Sequence, residues 1–565
     1  MDKINSLYEL VKRGKDNFGS KALYKFNANK ETIALSYNDF YEYTTKVALA
    51  LEKLGARGKR VMLIGETSVM WLASFVATVT IDGIAVPLDP YLLEDEMIKF
   101  VARAKASYII CSEKYADVFT NRLDELENVE KIIVTDVKSF TLSPKSTELD
   151  GKCIEFNDLL SLGDRLSNDG ETLDLSEHNT EKLSVLLFTS GTTGSSKGVM
   201  LCENNMCAVI NGAVQLIDGI KCEDVLLSVL PVFHTYELTC GLLAPLYFGC
   251  TICISDGIKY VARNLKQFSP SVVFMVPMLA EHLYKGIMKT AKDTGRLKTL
   301  NRGLAISKTL EKAGVDVRRK LFGSVIDALG GKLRHIVVGG AAMNPEISEK
   351  LRAFGIGVSQ GYGITECSPL ISVIPFNEVN AASCGRLMPE MQIFIDKEKA
   401  SDGYGEIVVK GPNVMLGYYE DEEQTREVLN NGWFRTGDYG YIDEKGYIYI
   451  TGRKKNVIVL AGGKNVFPEE IEEYLSPCPL IEEVVVAGMN DDKTGEYVVG
   501  AYIYPSAAEC KERGLVTKEE ICDAMTEEIK QINKKLVGFK RVSKIIIREE
   551  PFEKTSTRKV KRHLV

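Results

Sequence analysis

Residues 186–199 read LLFTSGTTGSSKGV, an apolar run that leads directly into a loop of glycine, serine and threonine closed by Lys197. Glycines and small hydroxylic residues let successive backbone N–H groups turn toward one point, which makes a nest for an anion. Lys197 adds a compact positive charge to that nest. Flexible surface turns have a similar composition. The predicted strand Leu183–Thr189, the closing lysine and the specific order TSGTTGSSKG favour a phosphate-binding loop.

Two other motifs compete for this stretch. A Walker loop has the pattern GxxxxGK[ST], whereas only two residues separate Gly194 from Lys197 here, and Gly198 follows the lysine. Residues 194–198 also match GxSxG, the pattern of a hydrolase nucleophile on a tight strand-to-helix turn. Ser196 lies seven residues past the predicted strand, which disfavours that turn. A serine hydrolase that uses Ser196 therefore stays as a weaker alternative of another class.

The rest of the chain alternates strand-like apolar runs with helical patterns, which is typical of βα units on a largely parallel sheet. The first predicted strands are Arg60–Gly65, Ile84–Pro87, Tyr108–Cys111 and Lys131–Thr135. Residues 160–182 are polar and are predicted to be a connector. The second series of predicted strands is Leu183–Thr189, Val225–Val229, Thr251–Ile254, Val272–Val276 and His335–Gly339. Short β patterns at 384–450 predict a small β subdomain, and the Lys/Glu-rich sequence after Arg453 predicts an α+β domain.

The composition argues against several classes of protein. The 565 residues include 70 Lys and Arg and 77 Asp and Glu, and this net charge of −7 disfavours a nucleic-acid-binding protein. The odd number of cysteines, 13, and the lack of a secretory signal predict a cytoplasmic protein with buried thiols. The most membrane-like stretch, 61–88, is interrupted by Glu66 and Asp82, so it predicts a buried strand, helix and strand. Peripheral membrane contact stays open.

The loop resembles the phosphate-binding motif of the adenylate-forming superfamily, which includes acyl-CoA synthetases, luciferases and peptide-synthetase adenylation domains. Four further stretches resemble that family's motifs in the same order: QGYGITE at 360–366, GWFRTGD at 432–438, TGRKK at 451–455 and KTSTRKVKR at 554–562. The charged helical stretch at 285–330 is similar to the insertion of the long-chain acyl-CoA synthetases. The resemblance extends from about residue 20 to the end of the chain and implies ATP-dependent conversion of a fatty acid to acyl-AMP and then acyl-CoA.

The resemblance also implies which residues bind the nucleotide. Those of the phosphate loop are Thr189, Ser190, Gly191, Thr192, Thr193, Gly194 and Lys197. Those around the adenine are Gly340, Ala341, Gln360, Gly361, Tyr362, Gly363 and Thr365. Tyr362 offers a flat face for the adenine ring. Asp438, in a predicted turn at 436–438, accepts hydrogen bonds from the two ribose hydroxyls with the support of Arg453.

Chemical roles follow for a further group of residues. Lys197, Glu366 and Lys559 are expected to be catalytic, with Lys559 bridging the attacking carboxylate and the α-phosphate. Glu366, a hard carboxylate, is the expected Mg²⁺ ligand together with Thr189. The family usually has glycine where Arg558 precedes Lys559. The remaining expected roles are the acyl pocket for His234, Gly340 and Gly363, the hinge for Lys455, and CoA contact for Gly462 and Gly463.

These motifs predict an α/β protein with a large N-terminal domain and a mobile α+β C-terminal domain. The predicted N-terminal domain is 1–452, with α/β subdomains at about 1–177 and 178–383 and a β subdomain at 384–452; the C-terminal domain is 453–565. The implied substrates and cofactors are a fatty acid, ATP, Mg²⁺ and CoA, without a nucleic-acid partner. A homodimer stays open, as does an acyl-AMP ligase that passes the acyl group to the phosphopantetheine of a carrier protein.

Overall fold

A computed structural model describes the chain over these ranges: 2–136, 151–189, 196–312, 315–397, 404–460, 464–490, 497–554 and 560–565. Two compact units are present. The first comprises Met1–Thr189, Lys197–Met391 and Gly411–Glu427, and the second contains Gln392–Lys410 and Val428–Val565.

The strands of both units are short and follow the chain in this order: β1 (Ala22–Ala28), β2 (Glu31–Ser36), β3 (Arg60–Ile64), β4 (Ile84–Leu88), β5 (Tyr108–Ser112), β6 (Lys131–Thr135), β7 (Cys153–Glu155), β8 (Leu183–Thr189), β9 (Lys197–Cys202), β10 (Val225–Ser228), β11 (Thr251–Ile254), β12 (Val272–Met275), β13 (His335–Val338), β14 (Gly357–Gly363), β15 (Leu370–Val373), β16 (Arg386–Leu387), β17 (Gln392–Asp396), β18 (Gly405–Lys410), β19 (Gly417–Tyr418), β20 (Leu429–Asn430), β21 (Trp433–Ile442), β22 (Ile448–Arg453), β23 (Ile458–Val459), β24 (Asn465–Val466), β25 (Ile481–Asn490), β26 (Tyr497–Pro505) and β27 (Lys544–Ile547).

The α-helices are α1 (Leu7–Phe18), α2 (Tyr37–Lys53), α3 (Val69–Thr80), α4 (Glu94–Ala104), α5 (Glu113–Thr120), α6 (Phe156–Asn168), α7 (Glu203–Leu216), α8 (Ala244–Phe248), α9 (Val261–Phe268), α10 (Pro277–Asp293), α11 (Leu297–Lys312), α12 (Arg318–Leu321), α13 (Gly323–Ala328), α14 (Pro345–Ala353), α15 (Glu422–Val428), α16 (Pro468–Leu475), α17 (Ala507–Glu512) and α18 (Lys518–Asn533). A π-helix, Tyr236–Leu243, precedes α8. Within the described ranges, no helix is both long enough and apolar enough to cross a bilayer.

Two mixed sheets form the first unit. One has the order β19-β9-β8-β4-β3-β5-β6-β7 and is parallel from β8 to β7. The other has the order β16-β15-β14-β13-β12-β10-β11-β1-β2 and is parallel from β14 to β1. Every residue of β5, β11, β12 and β13 is buried, as expected for parallel strands with both faces covered.

The structure confirms the predicted strand, helix and strand at 61–88, which are β3, α3 and β4, and every residue of α3 is buried. The prediction of a connector at 160–182 is wrong for its first part, because α6 continues to Asn168. Leu159 and Leu160 of α6 are fully buried, and a Cβ at Gly163 would lie 2.0 Å from the Lys46 oxygen of α2, so this helix packs closely on α2.

The two predicted series of strands do not correspond one-to-one to the two sheets. β8, from the second series, joins the first sheet through β4, and β9, which was not predicted, pairs with β8, whereas the early hairpin β1–β2 joins the second sheet through β11. The chain thus crosses between the sheets, a connection that local sequence patterns do not reveal. The predicted domain boundaries at 177, 383 and 452 stay predictions.

The second unit contains the remaining strands. Its antiparallel sheet has the order β17-β18-β21-β20, with β22 paired to β21, and its smaller sheet has the order β25-β26-β27. The core beside the smaller sheet includes Ile471 of α16, Val486 of β25 and Met525 of α18, all buried. The predicted mixed α/β architecture with a smaller α+β part at the C-terminus is confirmed.

Candidate active site

The predicted phosphate loop starts and ends on paired residues. β8 and β9 form an antiparallel hairpin in which Thr189 is the Cα partner of Lys197 and Phe188 that of Gly198. Directly opposed residues on such a pair lie close together, so the hydroxyl and the ammonium group flank the same end of the hairpin. Of the loop residues between them, Ser190, Gly191, Thr192, Thr193, Gly194 and Ser195 lie outside the described residues.

The β8–β9 hairpin also tests the GxSxG match at 194–198, the pattern of a hydrolase nucleophile. Ser196 directly precedes β9, in the connection between two antiparallel strands. A nucleophile elbow requires a strand that turns directly into a helix. The serine hydrolase interpretation of Ser196 is therefore wrong.

Tyr418 joins the phosphate loop to the second motif. β19 pairs with β9, and the Nζ atom of Lys197 lies 4.7 Å from the centroid of the Tyr418 ring, within the range of a cation–π contact. The Tyr418 hydroxyl donates a hydrogen bond of 2.9 Å to Oε1 of Glu366. The predicted residues Lys197 and Glu366 are thus linked through one aromatic side chain that the sequence analysis missed.

Backbone contacts hold this linkage in place. The N–H of Met415 donates to the Glu366 carbonyl at 2.8 Å, and the N–H of Tyr419 donates to the Gly198 carbonyl at 2.7 Å. A Cβ at Gly198 would lie 2.9 Å from the Cβ of Tyr419, so a larger residue there would push β19 away from β9. Gly198 is therefore required for the close approach that places Tyr418.

The other residues predicted to surround the adenine divide into those whose side chains are covered by protein and those that are exposed or half-buried. Gln360 is buried; its side-chain oxygen accepts from the Met343 N–H at 3.1 Å and its amide donates to Cys384 Sγ at 3.3 Å. Tyr362 is only 6% exposed, so most of the ring predicted to face adenine is covered by protein. The open positions are Gly340 and Ala341, exposed after β13, and the half-buried Gly361, Gly363 and Thr365.

Glu366 lies on the short 3-10 helix Thr365–Cys367 directly after β14. A Cβ at Gly363 would lie 2.2 Å from the Pro369 carbonyl oxygen, and the N–H of Ile364 donates to that same oxygen at 2.9 Å. The glycine thus lets the chain turn back tightly, which fixes the position of Glu366.

His234 lies in a tight turn before the π-helix. Its N–H donates to the Pro231 carbonyl at 3.2 Å, its carbonyl accepts from Leu238 at 2.9 Å, and its ring is 4.2 Å from that of Phe233. The side chain is half-buried. Because π-helical turns occur frequently at functional sites, this position fits the predicted acyl pocket, which stays a prediction.

Glu237, on the π-helix, is a buried carboxylic acid that the sequence analysis missed. It is fully buried, and its Oε1 accepts a hydrogen bond from Ser228. A Cβ at Gly241 would lie 2.8 Å from its Oε2, so the glycine leaves room for the carboxyl group. Burial raises the pKa of Glu237 to about 8, against the hydrogen bonds from Ser228 and the Leu230 backbone that lower it. A single carboxylate within the apolar run at 229–248 was the available signal.

This pKa predicts a pH-dependent stability. The carboxyl group ordinarily ionises near 4.5 but keeps its proton to about 8 in the folded protein, so folding stability falls as the pH rises between those values. Glu237→Gln removes that titration. We expect the free energy of unfolding of the variant, relative to wild type, to rise on the order of 3 kcal/mol from pH 5 to pH 8.5, measured by chemical denaturation. If the free energies of unfolding of the variant and the wild type differ by the same amount at both pH values, the raised pKa of Glu237 is contradicted.

The ribose motif lies on adjacent strands of the second unit. Asp438 of β21 and Arg453 of β22 are Cα partners, and Arg453 Nε lies 2.8 Å from Asp438 Oδ1. The Asp438 N–H donates to Thr436 Oγ1 at 3.1 Å, and Thr436 Oγ1 donates to the Ile407 carbonyl at 2.8 Å. The prediction of a turn at 436–438 is wrong, because β21 runs through it and Gly437, with φ +69°, is accommodated within the strand.

The remaining predicted residues lie in the second unit. Lys455 is exposed on the 3-10 helix Lys454–Asn456, directly after β22. Gly462, Gly463, Arg558 and Lys559 lie outside the described residues. On either side of 555–559, Lys554 and Val560 form an antiparallel bridge.

Two models of known protein families match most of this chain. The model of the AMP-binding enzyme family matches residues 12–419, and that of the AMP-binding enzyme C-terminal domain matches residues 455–565. This chain belongs to the AMP-binding enzyme family. The predicted membership of the adenylate-forming superfamily and the predicted acid–thiol ligase class are confirmed.

Two relatives and one solved structure are similar to this AMP-binding enzyme. Long-chain-fatty-acid–CoA ligase FadD15 of Mycobacterium bovis is 28% identical over 556 residues, which cover 92% of this chain and 88% of the relative. A 2-succinylbenzoate–CoA ligase of Bacillus cereus is 30% identical over 397 residues, covering 69% of this chain and 70% of the relative. The crystal structure of the anthranilate CoA ligase AuaEII with anthranoyl-AMP has a TM-score of 0.77 at 19% identity and covers 100% of this chain and 97% of its own.

Proposed function

We propose that this AMP-binding enzyme activates a long- or medium-chain fatty acid with ATP and transfers the acyl group to CoA. In the first step a carboxylate oxygen attacks the α-phosphorus, and pyrophosphate leaves. In the second step the CoA thiol, after losing its proton, attacks the acyl carbon, and AMP leaves. The exchange of a poor leaving group for AMP is what makes the acid reactive toward the thiol.

The observation that carries this proposal is the linkage of Lys197, Tyr418 and Glu366 at the end of the β8–β9 hairpin. It places a cation and a carboxylate beside a glycine-rich loop that follows a buried strand. A positive group and backbone N–H groups beside the triphosphate stabilise the charge that develops as pyrophosphate leaves. Lys197 therefore acts by holding the β- and γ-phosphates, and Tyr418 acts by positioning Glu366.

The residues present also fit Mg²⁺, which prefers hard oxygen ligands and is commonly held by one or two carboxylates together with phosphate oxygens. Glu366 supplies such a carboxylate, fixed on one side by Tyr418, and Thr189 supplies a hydroxyl at the start of the loop. When bound, the ion would offset the negative charge of the phosphates. Glu366 would hold the ion through its carboxylate, and Thr189 would contribute a neutral hydroxyl oxygen.

Lys559 supplies the second cation, which offsets repulsion between the incoming carboxylate and the α-phosphate. Because CoA must later approach the same acyl carbon, we infer that Lys559 leaves after the first step through movement at Lys455. Gly462 and Gly463 then give the pantetheine arm close passage along the backbone.

The thirteen cysteines, all within the described residues, are thiols rather than disulfides, which supports a cytoplasmic enzyme.

The product assay tests the substrate class. Purified enzyme is incubated with ATP, Mg²⁺ and CoA and with acids from four to eighteen carbons, 2-succinylbenzoate and benzoate, and the thioester and AMP are quantified. We expect acyl-CoA and AMP in equal amounts with the longer fatty acids. Preference for 2-succinylbenzoate or benzoate would contradict a fatty acid substrate and would indicate an aromatic acid–CoA ligase. Acyl transfer only to a holo-carrier protein would replace CoA as the acceptor.

Asp438 provides a separate prediction about the nucleotide. Asp438→Asn keeps the size of the side chain but removes the charge that accepts from the ribose hydroxyls and pairs with Arg453. We expect the KM for ATP to rise about tenfold, the effect of weakening a charged hydrogen bond, with a smaller change in kcat. The matched control is Asp443→Asn in the same strand–turn region, where the carboxylate accepts from the Lys445 and Tyr447 N–H groups. An equal KM effect in both variants would contradict ribose binding.

A further inference from the structure

The region from Lys285 to Ala328 has a charge opposite to that of the rest of the chain. It contains eleven Lys and Arg against four Asp and Glu, a formal charge of +7, whereas the whole chain carries −7. The remaining residues therefore carry −14 by subtraction. Such an asymmetry is typical of a surface that attracts an anionic partner.

The cations stand on the exposed faces of two adjacent helices. Lys285, Lys289 and Lys292 of α10 are spaced four and three residues apart, which places them on one face of that helix, and all three are exposed. Lys298 and Arg302 of α11, four residues apart, are also exposed. Helices α10 and α11 pack against each other. These five residues form what we call the basic surface.

Exposed aliphatic side chains occur in the same region of the chain, and Ile306 follows Arg302 by four residues, on the same face of α11. Ile306 of α11 is 52% exposed, Val315 is 49% exposed and Leu321 of α12 is 45% exposed. A shallow depression of about 300 Å³ is lined by Ala305, Ile306, Thr309 and Leu310. Water contact with these side chains is unfavourable, and their transfer to an apolar phase would be favourable. A purely electrostatic role would not require them.

We propose that the basic surface docks on an anionic lipid bilayer, with its cations at the phosphate level and Ile306 in the acyl boundary. Helical surfaces that combine Lys and Arg with exposed apolar residues bind at this depth. The exposed large apolar residues of this region are aliphatic, whereas single-stranded nucleic acids are bound by aromatic side chains on which bases stack. The proposal concerns this surface alone and does not rest on the acid that the enzyme activates.

Vesicle sedimentation of the full-length protein tests the proposal. We expect binding to vesicles of phosphatidylcholine with 30% phosphatidylglycerol to exceed binding to pure phosphatidylcholine about tenfold or more, and to fall strongly in 0.5 M NaCl. Lys285→Glu, Lys289→Glu and Lys298→Glu together are expected to lower binding to the anionic vesicles at least tenfold. Ile306→Ser is expected to lower it severalfold without changing the salt dependence.

The matched control reverses the same number of exposed lysines elsewhere: Lys53→Glu, Lys99→Glu and Lys182→Glu. This variant should keep at least half of the wild-type vesicle binding although its net charge is the same as that of the test variant. Thermal unfolding of each variant confirms that it folds. Equal loss in both triple variants, equal binding to neutral vesicles, or tighter binding to single-stranded DNA than to anionic vesicles would overturn the proposal.

Discussion

Replacing Lys559 by alanine is expected to lower acid-dependent ATP–pyrophosphate exchange about a hundredfold or more, the usual effect of removing one group that stabilises charge in a transition state. The ammonium group is proposed to lie between two negatively charged reactants, so its loss restores their mutual repulsion. The second step, attack of the CoA thiolate on acyl-AMP, is proposed to proceed without this cation. We therefore expect thioester formation from synthetic acyl-AMP and CoA to change much less, which single-turnover assays of the two steps measure separately.

The neighbouring Lys561→Ala variant is the matched control. Lys561 belongs to the same basic stretch, is partly exposed, and lies 3.9 Å from Glu553. If the basic stretch acts only through its overall charge, both variants should lose exchange equally, and that result would contradict a specific role for Lys559.

The described residues on either side of 555–559 are held by ion pairs within the second unit. Lys554 pairs with Glu483 on one side, and Arg562 pairs with Glu472 on the other. The N–H of Val486 also donates to Glu472 at 2.6 Å. Burial raises the pKa of Glu472 to about 7, against the Arg562 charge that lowers it. Both flanks of the segment are thus anchored to β25 or α16 within the second unit.

The second large effect is expected at Glu366. Glu366→Gln keeps the shape of the side chain and can still accept a hydrogen bond from Tyr418, but it removes the negative charge proposed to bind Mg²⁺. We expect the rate of the first step to fall about a hundredfold at millimolar Mg²⁺ and to recover partly at higher concentrations, because a weakened cation site fills later. Initial rates of pyrophosphate exchange as a function of Mg²⁺ concentration measure this shift.

Tyr418→Phe is the companion variant. It removes the hydroxyl that donates to Glu366 and retains the ring that contacts Lys197. Since the carboxylate is still present, we expect a loss of about tenfold or less. A larger loss in Tyr418→Phe than in Glu366→Gln would contradict the proposal that the first step depends on the negative charge of Glu366.

Local patterns in the sequence were sufficient where local physics decides the structure. The uncharged, mostly apolar sequence of α3 and the strands β3 and β4 on either side predicted buried elements, and all three are present. At Thr436-Gly437-Asp438 the same reasoning failed. The composition is that of a turn, but Arg435 and Tyr439 on either side pair with β18, and Asp438 pairs with Arg453 of β22, so the segment is an irregularity within β21. Long-range pairing thus overrode a local preference.

Contacts between distant parts of the chain could not be predicted from the sequence. Tyr418 and Glu366 are 52 residues apart and meet because β19 pairs with β9 rather than with a neighbouring strand in the chain. Gln360 was predicted from its motif to face the nucleotide, yet its side chain is engaged by Met343 and Cys384. A motif identifies which residue types are present, whereas packing decides which of their atoms remain available.

Acid-dependent exchange of labelled pyrophosphate into ATP, without CoA, is the direct test of whether this enzyme adenylates an organic acid, because it reports the joining of the acid to AMP and nothing later. We expect exchange that requires both Mg²⁺ and a fatty acid, increases with chain length over at least part of the series, and is nearly abolished in Lys559→Ala. No exchange with any acid of the panel, or acid-independent release of ADP and phosphate, would contradict the proposed adenylation.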